Sequence, residues 1–131
     1  MRADDAGHPG ADARIALCNS LDLVSGGDAV PFDVVYAGQT CRAFAVRFEG
    51  RVHAYLNRCT HVAIEMDYQP NKFYDLSGQY LVCATHGAVY QPDTGRCAGG
   101  PCRGNLIRIA LSEHDGVVHW HTAHNLKPLP F

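Results

Sequence analysis

Apolar and polar residues alternate along most of this chain with a period of two. In Arg42-Ala43-Phe44-Ala45-Val46-Arg47-Phe48 the alternation puts Phe44, Val46 and Phe48 on one face. Glu49-Gly50 predicts a tight turn, and Val52, Ala54 and Leu56 alternate again beyond it. Residues 42–56 therefore predict a hairpin, with His53 on its outer face between Val52 and Ala54. Residues 79–83 predict another strand. Gly87-Ala88-Val89-Tyr90 predicts a further short one, ended by the turn Pro92-Asp93-Thr94-Gly95, in which Asp93 is a loop former. Ile107, Ile109 and Leu111 alternate with Arg108 and Ala110, and Glu113-His114-Asp115-Gly116 turns the chain into residues 117–121. Residues 32–36 and 15–17 supply two more candidates, and no stretch predicts a helix. Seven or eight short strands, with turns every eight to twelve residues, predict an all-β domain, a sandwich or a barrel. Residues 62–78 form the one long irregular connection, and a loop of that length in a compact domain usually serves a function.

Composition narrows this picture. A chain of 131 residues with 47% hydrophobic and 18% charged residues is long enough for one core and too short for two domains of ordinary size. Residues 1–13, rich in Gly, Ala and Asp, predict a flexible N-terminal arm, and 14–131 a single domain. The net charge of −2 implies no basic face, so nucleic acid is not an expected partner. No window reaches the length of a membrane span, and the first residues lack the apolar run of a signal peptide, so a cytoplasmic protein with no membrane partner is expected. Six cysteines without a secretory signal point to metal or redox chemistry before disulfides.

That chemistry concentrates in two short pairs, Cys59-Thr60-His61 and Cys83-Ala84-Thr85-His86-Gly87, separated by residues 62–82. Each pair follows a predicted strand. A [2Fe–2S] cluster with cysteines on one iron and histidines on the other needs two converging loops, each giving one thiolate and one imidazole. The spacings C-x-H and C-x-x-H let the two side chains of a pair project to different sides of a turn. A Cys₂His₂ zinc site accepts the same ligand types. It normally shows two to four residues between cysteines and three to five between histidines, which these mixed pairs do not.

The two boxes resemble the cluster-binding boxes of Rieske iron–sulfur proteins. The likeness continues through Tyr90, the turn Asp93-Thr94-Gly95, and Gly99-Gly100-Pro101, which resembles the proline loop covering the cluster. It implies three stacked antiparallel sheets with a cluster-binding subdomain at the tip, built from loops at about 57–63, 83–90 and 97–102. It also implies one [2Fe–2S] cluster per chain. Cys59 and Cys83 would then hold the buried iron, and His61 and His86 the outer one. Gly87, Tyr90 and Pro101 would form the surrounding shell, with Gly87 letting the backbone approach the cluster sulfurs.

Where respiratory Rieske proteins carry an additional disulfide-forming cysteine in each box, this chain has Ala63 and Thr85. Where they place a sulfur-bonding serine it has Ala88. Losing one sulfur hydrogen bond while keeping Tyr90 predicts a reduction potential below the respiratory class.

The implied function is one-electron transfer, from a reductase to an oxygenase or a similar acceptor, with no catalytic residues of its own. An alternative is the small subunit of a multi-component oxidoreductase. A complete oxygenase is excluded on length, because only residues 102–131 follow the proline loop, too few for a mononuclear iron domain.

Other residues carry milder expectations. Cys97 and Cys102 are read as two thiols beside the proline loop, with extra ligands or a small disulfide as the alternatives. Cys18 and Cys41 are expected as buried small hydrophobes. His119 and His121 are expected to face solvent from one side of a strand, His114 to sit in a turn, His8 in the arm, and Trp120 in packing. The aromatic and acidic residues Met66, Asp67, Tyr68, Phe73, Tyr74 and Asp75 suggest a docking surface for a partner.

Overall fold

The structure is a computed structural model that describes residues 13–58, 65–67, 69–84, 87–102 and 104–129. Among the described residues it has eleven strands and one short 3-10 turn, Ser20–Asp22. The strands are β1 (Arg14–Asn19), β2 (Val30–Tyr36), β3 (Gln39–Phe48), β4 (Arg51–Leu56), β5 (Leu81–Val82), β6 (Val89–Tyr90), β7 (Cys97–Gly99), β8 (Arg108–Ile109), β9 (Leu111–His114), β10 (Val117–His121) and β11 (Leu126–Lys127). They form three sheets, in the orders β1-β10-β9, β11-β2-β3-β4-β8 and β5-β6-β7, with every strand pair antiparallel.

The predicted hairpin at 42–56 is β3 and β4, joined by Glu49-Gly50. Both turn residues have positive φ, 50° and 82°, the signature of a type I′ turn, whose twist suits a two-residue hairpin. Ala37-Gly38 joins β2 to β3 in the same way, and Asp115-Gly116 joins β9 to β10. In β2, Pro31 has no N–H to give. It sits beyond the two-residue reach of β11, where nothing described pairs with that side of the strand.

The five-stranded sheet has a core on each face. From β3, Phe44 and Val46 point one way, with Tyr55 of β4, toward Met66, Phe73, Leu81, Cys83, Ala88, Tyr90 and Leu106. Ala43 and Ala45 point the other way, with Ala54 and Leu56, toward Val34, Ile109, Val118, Trp120 and Leu126. We call these the site core and the base core. Period-two alternation survives, but both phases are buried, so β4 runs buried from His53 to Leu56.

Several sequence expectations are corrected here. His53 is not on an outer face: it is 8% exposed and pairs across β3 with Val46. Burial pushes its pKa down. His119 and His121 are half-buried rather than solvent-facing, and His121 Nε2 lies 2.8 Å from the Ser112 hydroxyl. Cys18 and Cys41 are half-buried against the base core rather than fully buried, whereas Trp120 is packed within it as expected, 5.6 Å between ring centroids from Phe32.

Residues 1–12, most of the expected arm, lie outside the described residues. Ala13 donates its N–H to the Thr122 hydroxyl and accepts the Thr122 N–H at its carbonyl. No helix among the described residues is long and apolar enough to cross a membrane.

Candidate cluster site

The second box begins where β5 ends. Cys83 is fully buried in the site core, and its backbone is fixed from both directions. Its N–H donates to the Ala88 carbonyl at 2.8 Å, and its carbonyl accepts the Gly87 N–H at 2.8 Å. Residues 83–88 are thereby a closed loop rooted on β5 and β6. Gly87 has φ of +75°, and in this structure its N–H closes the loop.

The first box hangs from the end of β4, and the calls on Cys59, His61 and His86 lie outside the described residues. The residues on either side of the first box show how its ends are held. The Asn57 side chain donates to Asp67 Oδ1 and accepts the Met66 N–H, both at 2.7 Å. Asp67 Oδ2 in turn accepts the Asn71 N–H at 2.9 Å. One amide thus draws the entry and exit of the segment 58–65 together. The Met66 carbonyl then accepts the Ala84 N–H at 2.9 Å. This bond ties Met66, just after the first box, to the residue directly after Cys83, so the described ends of the two boxes meet.

The proline loop comes to the same place. β7 pairs with β6, with Cys97 opposite Tyr90 and Gly99 opposite Val89. A Cβ on Gly100 would stand 2.6 Å from the Gly87 carbonyl oxygen, so only glycine lets this loop lie on the second box. Pro101 is exposed beside it, and Tyr90 is fully buried beneath. Cys97 and Cys102 are joined in a disulfide, which corrects the expectation of two thiols. The spacing alone could not decide this. The β7 pairing and the bend at Gly100 bring the two Cα atoms to 5.9 Å, within the range of about 4.4–6.8 Å that a disulfide spans.

Most of the described residues named for a docking surface are engaged within the fold. Met66 and Phe73 are buried, and Phe73 stacks on Phe44 with ring centroids 3.8 Å apart. The Tyr74 hydroxyl donates to the Arg47 carbonyl at 2.7 Å, and burial pushes its pKa up, so it remains a donor. Asp67 serves the Asn57 network, and Asp75 accepts from the Ser77 hydroxyl at 2.7 Å. Tyr68 lies outside the described residues. Sequence reasoning missed Asn57 and gave Asp67 to a docking surface, because neither belongs to a ligand motif. Their only signal was position, just before and just after the first box.

The donor described at this point is the Cys83 thiol in a dry interior, a soft ligand whose chemistry fits an iron–sulfur centre. Residues 13–119 match the Rieske [2Fe-2S] domain family. The chain belongs to that family. Its cofactor is accordingly one [2Fe–2S] cluster, and the Rieske architecture explains the three sheets.

Among solved structures, the Rieske fold here is similar to the ferredoxin of carbazole 1,9a-dioxygenase from Nocardioides aromaticivorans IC177. The TM-score is 0.66 and the identity 17%, over 82% of this chain and 96% of that one. It is also similar to the Sphingomonas yanoikuyae B1 ferredoxin, with TM-score 0.59 and 23% identity, over 81% and 95% of the two chains. A chain in the reduced complex between oxygenase and ferredoxin of carbazole 1,9a-dioxygenase matches with TM-score 0.63 and 16% identity. There 87% of this chain covers only 29% of the other. Among curated proteins no sequence matches this chain.

Proposed function

We propose that this protein is a one-electron carrier that takes electrons from a reductase and delivers them to an oxygenase or similar acceptor. Cys59 and Cys83 are assigned to the buried iron, and His61 and His86 to the outer iron. The observation that carries the reading is the bond from Ala84 N–H to the Met66 carbonyl, which joins the described ends of both boxes beside buried Cys83. The coverage figures agree with the size of a carrier. Almost all of a ferredoxin is matched, against under a third of the chain from the oxygenase complex.

When bound, the cluster supplies a single reversible electron at a potential that histidine ligation raises into the range of roughly −150 to +300 mV. The chain's own contribution is to keep water from the sulfur side with the site core, to fix the loops through Asn57, and to lay Gly100 against Gly87. With Ala88 in place of a hydroxyl, the expected potential lies below that of the respiratory class. We place the protein in the cytoplasm, a reducing compartment suited to thiolate ligands.

Visible and EPR spectra of the purified protein, oxidised and dithionite-reduced, test the assignment, together with Cys83→Ser and His86→Ala variants. A red-brown protein whose reduced form gives a rhombic EPR signal, lost in either variant, is expected. A colourless protein holding one zinc ion would overturn it.

A further inference from the structure

The Cys97–Cys102 disulfide closes a small ring holding Ala98, Gly99, Gly100 and Pro101. Gly99 pairs with Val89 of β6, and Gly100 is seated on the backbone of Gly87, one residue after His86. The ring therefore rests on the strand and turn that leave the second box.

Two observations separate this bond from a structural staple. The first is its span. With a sequence separation of 5 it joins no two elements that the β6–β7 pairing does not already hold. The second is its access. Cys97 is exposed, whereas Cys102 is half-buried and packed against the site core, so an incoming thiolate can reach one of the two sulfurs. Accessible disulfides have the more oxidising potentials and exchange readily, and those of a reducing compartment are usually transient.

We propose that Cys97 and Cys102 are a reversible thiol–disulfide site that sets how firmly the 97–102 loop is held on the second box, with a dithiol as its reductant. Only the consequence for the cluster rests on the Rieske reading; the thiol chemistry does not. One thiolate of the dithiol attacks Cys97 Sγ, forming a mixed disulfide and releasing Cys102 as a thiolate that takes up a proton. The second thiol of the reductant then attacks its own bonded sulfur and releases Cys97. The protein gains two electrons and two protons, and the dithiol leaves as a cyclic disulfide. With the ring open, β6–β7 pairing and the packing of Cys102 on the site core hold the loop, which lifts from Gly87 more often.

The test uses the holoprotein purified in air, before and after treatment with dithiothreitol without denaturant, and the Cys97→Ser/Cys102→Ser double variant. Three readouts are taken: peptide-resolved alkylation of Cys97 and Cys102, hydrogen exchange of the 97–102 amides, and iron release to a coloured chelator. The oxidised protein is expected to leave both cysteines unalkylated. After the dithiol both become alkylated, and loop exchange and iron release accelerate by up to roughly thirtyfold, the scale of the entropy such a ring removes from the open loop. The double variant is expected to match the reduced protein and to ignore dithiothreitol.

Cysteines that are already alkylated in the air-purified protein, or a disulfide that resists the dithiol until the protein is denatured, would overturn the proposal. So would loop exchange that is the same in both states. A protein without iron would defeat the Rieske reading alone, because alkylation and loop exchange would still decide the thiol site.

Discussion

Asn57 shows how much a single side chain can organise in this protein. Its amide makes two hydrogen bonds that join the ends of the first box, both in a half-buried setting. Asn57→Ala is expected to cost about 2 kcal/mol in chemical denaturation, two bonds at about 1 kcal/mol each. It should also lower iron content per chain, whereas Asn71→Gly, which keeps its backbone bond to Asp67 and suits the φ of 67°, should leave iron content unchanged. His53 makes the opposite point. Burial, with Arg108 as the next cause, holds its pKa below the ordinary 6.5, so the imidazole stays neutral in the fold. The unfolded chain then binds a proton that the folded chain refuses, and stability falls as the pH drops below about 6.5. Denaturation midpoints measured from pH 7.5 down to 5 should decline in the wild type and decline less in His53→Gln. Sequence alternation put His53 outside because a period of two identifies the two faces of a strand without saying whether one of them is wet.

The hairpins were legible because their turns are chemical as well as periodic. Glu49-Gly50 and Asp115-Gly116 stood between alternating runs, and the structure places both residues of each turn at positive φ. Ala37-Gly38 was less visible, since alanine does not advertise a left-handed conformation. That observation carries a prediction: Ala37, exposed at φ of 50°, pays the left-handed penalty that asparagine largely avoids. Ala37→Asn should stabilise the protein by about 0.5–1 kcal/mol in urea denaturation without changing the slope. On the site side, the Tyr55 hydroxyl donates to the Pro92 carbonyl at 2.7 Å, fastening β4 to the turn after β6. Tyr55→Phe leaves that buried carbonyl without its donor and should cost about 1–2 kcal/mol by thermal or chemical denaturation. The connection at 62–78 was illegible as packing. Met66, Phe73 and Tyr74 follow no period, because they drop singly into the site core from an irregular path.

At the scale of the whole molecule, the fold class and the three sheets followed from strand spacing and the resemblance of the two boxes. The double burial of the middle sheet and the bond between Cys97 and Cys102 did not, since each depends on which distant strand lands opposite. The two cores share that sheet but no residue. Stripping the iron with a chelator is therefore expected to unsettle the site core while the base core stays folded. Far-UV circular dichroism should retain most of its strand signal, and amide exchange should rise at residues 81–90 while staying low at 118–120. A cooperative loss of all structure on iron removal would show instead that the cores are one unit.

Trp120, the sole tryptophan in the chain, sits in the base core. Its fluorescence is thus a gauge installed on the face of the middle sheet opposite Cys83. An unfolding curve followed by tryptophan emission and one followed by the visible colour of the iron would report on opposite faces of the same sheet. The gap between the two curves would measure how far the holding of iron and the holding of shape have been kept apart.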